Sequence, residues 1–79
     1  PEYFERKILW TNALLGISNI DKKIIAKIAK DYTVTGGNIK NIIQYAWLLS
    51  KRNKKAISEK ELLIGIRREL GKEGKSVEI

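Results

Sequence analysis

The residues with the clearest capacity for chemistry are two glycines in the middle of the chain, Gly36 and Gly37, which directly precede a helical pattern. Polar Asn38 and Lys40 lie in the first turn of that helix. The N–H groups at a helix start have no partner within the helix, and the helix dipole makes this end locally positive. Because glycine also lets a ligand approach the backbone, this segment could receive an anion or a sugar. A tight turn between two packed helices has the same pattern, since a pair of glycines is a weak signal by itself.

Other residue types that usually carry chemistry do not occur in the sequence. It contains neither histidine nor cysteine, which removes the commonest general base, most catalytic triads and the usual zinc ligands. No segment has the full phosphate-loop pattern, in which a glycine and four residues of any type precede Gly-Lys-Ser or Gly-Lys-Thr. Glu59 and Glu61 would lie on opposite sides of one helix and cannot act as a catalytic pair. We therefore expect no catalytic residue, no metal ligand and no enzyme activity from this chain alone.

Helical patterns account for most of the chain and must position the glycine segment. Four helices are predicted, over residues of about 2–15, 21–32, 37–52 and 59–70. Gly16 is suited to end the first helix with a left-handed backbone. Ser18 or Asn19 is predicted to cap the second helix, and Ser58 with Glu61 has the spacing of a capping box for the fourth. The fold class is therefore all-α, a four-helix bundle.

Chain length and composition set the domain organisation. Seventy-nine residues are enough for one small domain of marginal stability. Residues 1–70 are predicted to form it, with one short extended pair near Ala56 and Ile57, and residues 71–79 to form a flexible tail. The chain begins at Pro1 and contains no methionine, so we expect it to be a piece of a longer protein. Because no apolar run approaches the ~20 residues of a membrane span, no membrane association is predicted.

Apolar side chains recur with helical spacing and predict which faces are buried. The predicted core positions on the second, third and fourth helices are Ile24, Ile25, Ile28, Ala29, Ile39, Ile42, Ile43, Tyr45, Ala46, Trp47, Leu49, Leu62, Leu63, Ile66 and Leu70. The first helix has two stripes on different sides, Tyr3 with Trp10 and Leu14, and Phe4 with Ile8 and Leu15. A domain of this size can bury only one of them well. We therefore predict that the Phe4 stripe, and Leu48 in the polar arc of the third helix, face a partner.

A net charge of +7 raises the question of nucleic-acid binding. The second and third helices could form a helix-turn-helix, with Asn41 and Gln44 as the main base-reading side chains. Against this, lysines are spread over all four helices, and the dense run at 51–55 has no interleaved aromatic residue. Nucleic-acid binding is therefore the alternative function and not the favoured one. A helical protein-interaction module is a third interpretation.

Four segments follow one another in an order that suggests a known module. They are Arg6 with Leu9-Trp10, then Asn19-Ile20-Asp21 with Ile24, Ile25, Ile28 and Ala29, then Thr35-Gly36-Gly37-Asn38-Ile39-Lys40-Asn41 with Tyr45-Ala46, and last Ile57-Ser58, Leu62-Leu63 and Ile66-Arg67-Arg68-Glu69-Leu70 with Lys72 and Gly74. In this order, over nearly all of the chain, they resemble the C-terminal helical lid of AAA+ ATPases.

The resemblance implies a nucleotide contact at the start of the third helix. In this family the lid closes over ATP, and the residues after the glycines lie beside adenine and ribose, so Gly36, Gly37 and Asn38 would contact adenosine. Lys40 lies close to the place of an arginine, called sensor 2, that reaches the γ-phosphate in many relatives. A lysine is not equivalent to arginine there, because it is a point charge and not a planar fork. The branch that includes proteasomal ATPases lacks this arginine and usually has Gly-Ala-Asp where this chain has Gly36-Gly37-Asn38.

The resemblance also implies partners. The cofactor would be ATP, with magnesium held by a large nucleotide-binding subdomain that the given sequence does not contain. The lid would pack on that subdomain and contact neighbouring subunits of a hexameric ring in the cytoplasm. The parent chain would be an ATP hydrolase, whereas the excised fragment is expected to be a monomer with no bound cofactor.

Overall fold

A computed structural model of the chain describes residues 1–75 and consists of four helices joined by short loops. They are α1 (Tyr3–Leu14), α2 (Lys22–Asp31), α3 (Gly36–Arg52) and α4 (Glu59–Lys72). The predicted all-α fold is confirmed, and no helix end differs from its predicted position by more than two residues.

The largest difference is at the end of α4, where Gly71 and Lys72 belong to the helix and not to the predicted tail. Two further hydrogen bonds close this end, from the Gly74 N–H to the Gly71 carbonyl and from the Lys75 N–H to the Leu70 carbonyl, both at 3.1 Å. These bonds satisfy carbonyls that a helix end otherwise leaves unpaired. Residues 76–79 of the predicted tail lie outside the described residues.

Reciprocal hydrogen bonds start α3 and α4. At α3, Thr35 Oγ1 accepts the Asn38 N–H and Asn38 Oδ1 accepts the Thr35 N–H, both at 3.0 Å. At α4, Glu61 Oε1 accepts the Ser58 N–H at 2.9 Å, and the predicted capping box is confirmed. Each box satisfies donors that the first helical turn cannot pair internally.

Helix α2 begins differently from the prediction. Its cap is Asp21, whose Oδ1 accepts the Lys23 N–H at 2.7 Å. Ser18 is not the cap, because its hydroxyl donates to the Leu14 carbonyl at 3.2 Å and so extends the end of α1. Gly16 has a φ of +80°, which confirms its predicted left-handed conformation at the end of α1.

The two loops at one end of the bundle are joined by a pair of backbone hydrogen bonds. The Ile57 N–H donates to the Ile17 carbonyl at 3.2 Å, and the Asn19 N–H donates to the Ile57 carbonyl at 3.4 Å. This isolated parallel bridge between Ser18 and Ile57 confirms the extended backbone predicted near Ile57. It holds the loop that precedes α2 against the loop that precedes α4.

Helix α1 contacts both α2 and α3, and α3 contacts α4. The core consists of Trp10, Leu14, Ile25, Ile28, Ala29, Val34, Ile39, Ile42, Ile43, Ala46, Ile57, Leu62, Ile66 and Leu70. At the edge of this core the buried Arg6 donates from Nε to the Ala29 carbonyl at 2.8 Å. Its cation therefore lies near the negative end of α2, where it satisfies a carbonyl that the helix cannot.

Helices α3 and α4 run antiparallel and lie in close contact at Gly65. A Cβ atom at this position would lie 3.0 Å from the Ile42 carbonyl oxygen and 3.1 Å from Ile42 Cγ2. The first contact is with backbone, which cannot rotate away as a side chain can. The absence of a side chain at Gly65 therefore allows this close contact between α3 and α4.

Gly65→Ala should lower the free energy of unfolding by about 1–2 kcal/mol, because the added methyl group pushes the two helices apart. Gly71→Ala is the matched control, since Gly71 lies in the same helix and a Cβ there meets nothing within 4 Å. The control should be neutral or stabilise the chain by up to ~1 kcal/mol through helix propensity. Urea unfolding of both variants measures the contrast. Equal effects at the two positions would contradict the close approach at Gly65.

Candidate functional site

The start of α3 has a different geometry from the one predicted. Gly36 and Gly37 are the first two residues of the helix and not the end of a loop, and Thr35 is the cap. Neither glycine has a positive φ, so neither is required for an unusual backbone conformation. Both are exposed. A Cβ at Gly36 would only touch Leu9 Cδ1 at 4.0 Å, and one at Gly37 would only touch Thr35 Oγ1 at 3.7 Å.

The backbone N–H groups at this helix start fall into two classes. Those of Asn38 and Ile39 donate to Thr35, to its Oγ1 and its carbonyl oxygen, both at 3.0 Å. Among the hydrogen bonds of residues 1–75, none uses the N–H of Gly36 or Gly37. Two backbone donors on an open surface are thus left for water or a ligand.

The side chain of Asn38 is turned into the domain. It is 9% exposed, and its Nδ2 donates to Glu69 Oε2 at 3.1 Å and to Glu73 Oε2 at 2.8 Å. With its Oδ1 bonded to Thr35, the amide is engaged at both ends. Asn38 therefore builds the helix start and fixes it to α4, and it does not present its amide to a ligand.

Asn41 completes this arrangement, which we call the α3–α4 polar cluster: Asn38, Asn41, Glu69 and Glu73. Asn41 Nδ2 donates to Glu69 Oε2 at 2.9 Å. The cluster was not predicted from the sequence. Glu69 also pairs with Lys72, three residues later on α4, at 3.4 Å. The available signal was two polar pairs, at 38 and 41 and at 69 and 73, each on one face of its helix.

Glu69 is the buried centre of the cluster. The hydrogen bond from Asn41 lowers the pKa of its carboxyl group, burial opposes this effect, and the bonds from Asn38 and Lys72 lower the pKa further. The net direction is downward, so the buried carboxylate is ionised at neutral pH. Negative charge thus lies beside the start of α3 and offsets the positive end of the helix dipole.

Lys40 lies one turn into α3 and is exposed. The ion pairs among residues 1–75 join Lys55 with Glu61, Lys72 with Glu69 and Lys75 with Glu73, and Lys40 is in none of them. Its ammonium is therefore not fixed by a carboxylate of the described residues. Of the four residues predicted to contact nucleotide, the structure leaves Gly36, Gly37 and Lys40 accessible and uses Asn38 internally.

The predicted second stripe of α1 is exposed. Phe4 is 73%, Ile8 60% and Leu15 80% exposed, and we call these three residues the outer stripe of α1. Tyr3, Trp10 and Leu14 of the other stripe belong to the core or pack against it. The prediction that only one stripe is buried is confirmed. Leu48 is also exposed, at 58%, whereas Trp47, predicted as core, is partly exposed at 39%.

The geometry gives little support to a helix-turn-helix. Helix α2 packs mainly on α1, while α3 packs on α4 and α1. Of the two base-reading candidates, Asn41 already donates to Glu69, which leaves Gln44.

Among residues 1–75, no group of three or more acidic side chains could hold a metal ion, and no helix is both long and apolar enough to cross a membrane.

Comparison of the chain with protein-family models, with curated proteins and with solved structures gave no match. The function must therefore be argued from the residues, the geometry of the helix start and the family resemblance.

Proposed function

We propose that the chain is the C-terminal lid of an AAA-type ATPase and contacts the adenosine of bound ATP through the start of α3. The observation that carries this proposal is the pair of exposed glycines whose N–H groups have no partner among the described residues. They open α3, the helix at whose start the resemblance places the nucleotide. The open surface around both glycines would allow a ring system to approach the backbone.

The charges at this helix start favour adenosine over phosphate. Glu69 and Glu73 both accept hydrogen bonds from Asn38, the third residue of α3. A phosphate placed there would be repelled by these carboxylates, although Lys72 and Lys75 pair with them at 3.4 Å. Adenine and ribose are neutral and can accept hydrogen bonds from the glycine N–H groups. Lys40, on the outer side of the next turn, is the residue left to reach toward a phosphate, as a lysine in the sensor 2 position.

The outer stripe of α1 is the proposed contact with the large subdomain of the same ATPase. Phe4 and Ile8 on an exposed face of α1, with Leu15 directly after the helix, form an unusual surface for a monomer that is typical of an interface. That subdomain would hold magnesium and most of the ATP. The lid would then move as a rigid body with the nucleotide state and transmit this motion to neighbouring subunits of a cytoplasmic hexameric ring. The fragment itself would have no ATPase activity.

Gly37→Val in the full-length ATPase should weaken nucleotide binding about tenfold, the equivalent of roughly 1.4 kcal/mol, because the branched side chain occupies the space that adenosine needs. The stability of the isolated chain should change by less than about 0.5 kcal/mol, since Gly37 is exposed and helical with no positive φ. Titration with a fluorescent ATP analogue measures the first effect and thermal melting the second.

Gly71→Val is the matched control, because Gly71 is also an exposed helical glycine with nothing within 4 Å of a Cβ. It should leave nucleotide affinity unchanged. If Gly37→Val binds the analogue as tightly as the control does, then the start of α3 does not contact adenosine and the proposal fails.

A further inference from the structure

A groove with apolar walls lies on the outer side of α3, between this helix and the loop that follows α1. It has a volume of about 460 Å³ and is lined by Ile17, Ile43, Gln44, Trp47 and Leu48, and we call it the α3 groove. Leu48 is 58% and Trp47 39% exposed, so apolar surface that could be buried by a partner is left in contact with water. Its volume is in the range of pockets that bind ligands.

Positive charge surrounds the α3 groove. Helix α3 contains Lys40, Lys51 and Arg52 and no aspartate or glutamate. Lys51 Nζ lies 4.3 Å from the centre of the Trp47 ring, which places this cation at the rim. Lys40 precedes Gln44 by one turn on the same helix face. The groove is therefore apolar inside and cationic at both ends.

A second cavity adjoins the groove and extends its cationic end. It has a volume of about 290 Å³, and its lining includes Trp47, Lys51 and Lys55. Lys55 contributes less charge than Lys51, because its Nζ lies 3.8 Å from the buried carboxylate of Glu61. The two cavities share Ile17 and Trp47, so they form one continuous surface.

We propose that the α3 groove binds an acidic amphipathic segment of a partner protein, with aliphatic side chains against Trp47 and Leu48 and carboxylates beside Lys40 and Lys51. This is the arrangement in which an amphipathic helix inserts its apolar face into a groove. The cationic rim selects for acidic partners and accelerates their association. Lys51 covers a face of the Trp47 ring that a nucleobase would need for stacking.

This surface shares only Lys40, at its rim, with the proposed nucleotide contact, and the residues that line the groove are separate from that contact. Gln44 follows Gly37 by about two helical turns, or roughly 10 Å along α3. The α3 groove and the outer stripe of α1 also have no lining residue in common. The docking proposal can therefore fail while the lid proposal stands, and the reverse also holds.

The test uses the 79-residue chain and a synthetic fluorescein-labelled peptide with leucines one helical turn apart and glutamates at the remaining positions. Fluorescence anisotropy should show saturable binding, and the emission of Trp47 should shift to shorter wavelength as the ring is buried. Leu48→Ser should weaken binding about tenfold through lost apolar burial. Lys51→Gln should weaken it about threefold and reduce its salt dependence, as expected for a rim charge.

Ile64→Ser is the matched control, because Ile64 is an exposed apolar residue, at 41%, that does not line the groove. It should bind the peptide like the unmodified chain, and melting curves should show all variants folded. Three results would overturn the proposal: no saturable binding, equal binding of a peptide with lysines in place of the glutamates, or an equal loss of affinity in Ile64→Ser and Leu48→Ser. Binding to phosphatidylserine vesicles or to a DNA duplex with no binding to the acidic peptide would also overturn it.

Discussion

Ile42→Ser should destabilise the chain by about 4 kcal/mol, whereas Phe4→Ser should lower the free energy of unfolding by less than about 1 kcal/mol. Ile42 is fully buried in α3, facing α4, so serine there leaves a cavity and an unpaired hydroxyl group. Phe4 is 73% exposed, and its ring contact within the domain is with Tyr3, at a centroid distance of 5.0 Å. Since small domains are marginally stable, Ile42→Ser should leave a large part of the molecules unfolded.

Thermal melting, monitored by circular dichroism, compares the two variants directly. If Phe4→Ser melts at as low a temperature as Ile42→Ser, then Phe4 belongs to this domain's own core and the outer stripe of α1 is not an interface. In the full-length ATPase that we propose as the parent chain, Phe4→Ser should reduce ATP turnover although the lid is still folded, because the lid would no longer follow the large subdomain.

The contrast between Phe4 and Ile42 illustrates what helical periodicity can predict. The period of apolar residues assigned Ile42 to a buried face and separated the two stripes of α1, because burial depends mainly on position around a helix axis. Helix ends were also predictable where a local signal exists, as in the capping box of Ser58 and Glu61 and the left-handed Gly16. All of these features depend on residues a few positions apart.

Features that depend on pairs far apart in the sequence were not predicted. The close approach at Gly65 depends on the backbone at Ile42, and no local pattern marks a glycine as a helix-crossing point. The cap of α2 was misplaced at Ser18 or Asn19. The local sequence does not show that Asp21 accepts the Lys23 N–H, or that Ser18 donates to the Leu14 carbonyl instead. Similarly, the family resemblance placed Asn38 beside a ligand, and its bonds to Glu69 and Glu73 on the distant α4 were not predicted.

Replacement of Glu69, whose role was not predicted from the sequence, should have the second large effect on stability. Glu69→Ala should cost about 2–3 kcal/mol at neutral pH, because the amide of Asn41 loses its carboxylate acceptor and the buried amide of Asn38 keeps only Glu73. Glu69→Gln should cost less, about 1–2 kcal/mol, since it keeps one carbonyl acceptor and loses the charge. Asp31→Asn is the control, because Asp31 is an exposed carboxylate outside the cluster, and should change stability by less than about 0.5 kcal/mol.

The pH dependence distinguishes a charged cluster from simple packing. The pKa of Glu69 is lowered from its ordinary value of 4.5 in the folded chain, so folding favours the ionised form. The stabilisation is therefore fully present above the pKa of the unfolded chain and is lost as the pH falls through the folded-state pKa. Glu61 acts in the same direction: burial would raise its pKa, but hydrogen bonds from Ser58 and the charges of Lys55 and Lys60 together lower it.

Urea unfolding of the unmodified chain and of Glu69→Gln should therefore give curves that differ at pH 7 and converge at acid pH, as the pH falls through the lowered pKa of Glu69 and its carboxylate becomes protonated. The unmodified chain should still lose stability in this range, and Glu69→Gln should lose less, since Glu61 remains to titrate. A difference that stays constant from neutral to acid pH would show that Glu69 stabilises through its shape alone. In that case the carboxylate would not be the group that holds Asn38 and Asn41, and with them the start of α3, against α4.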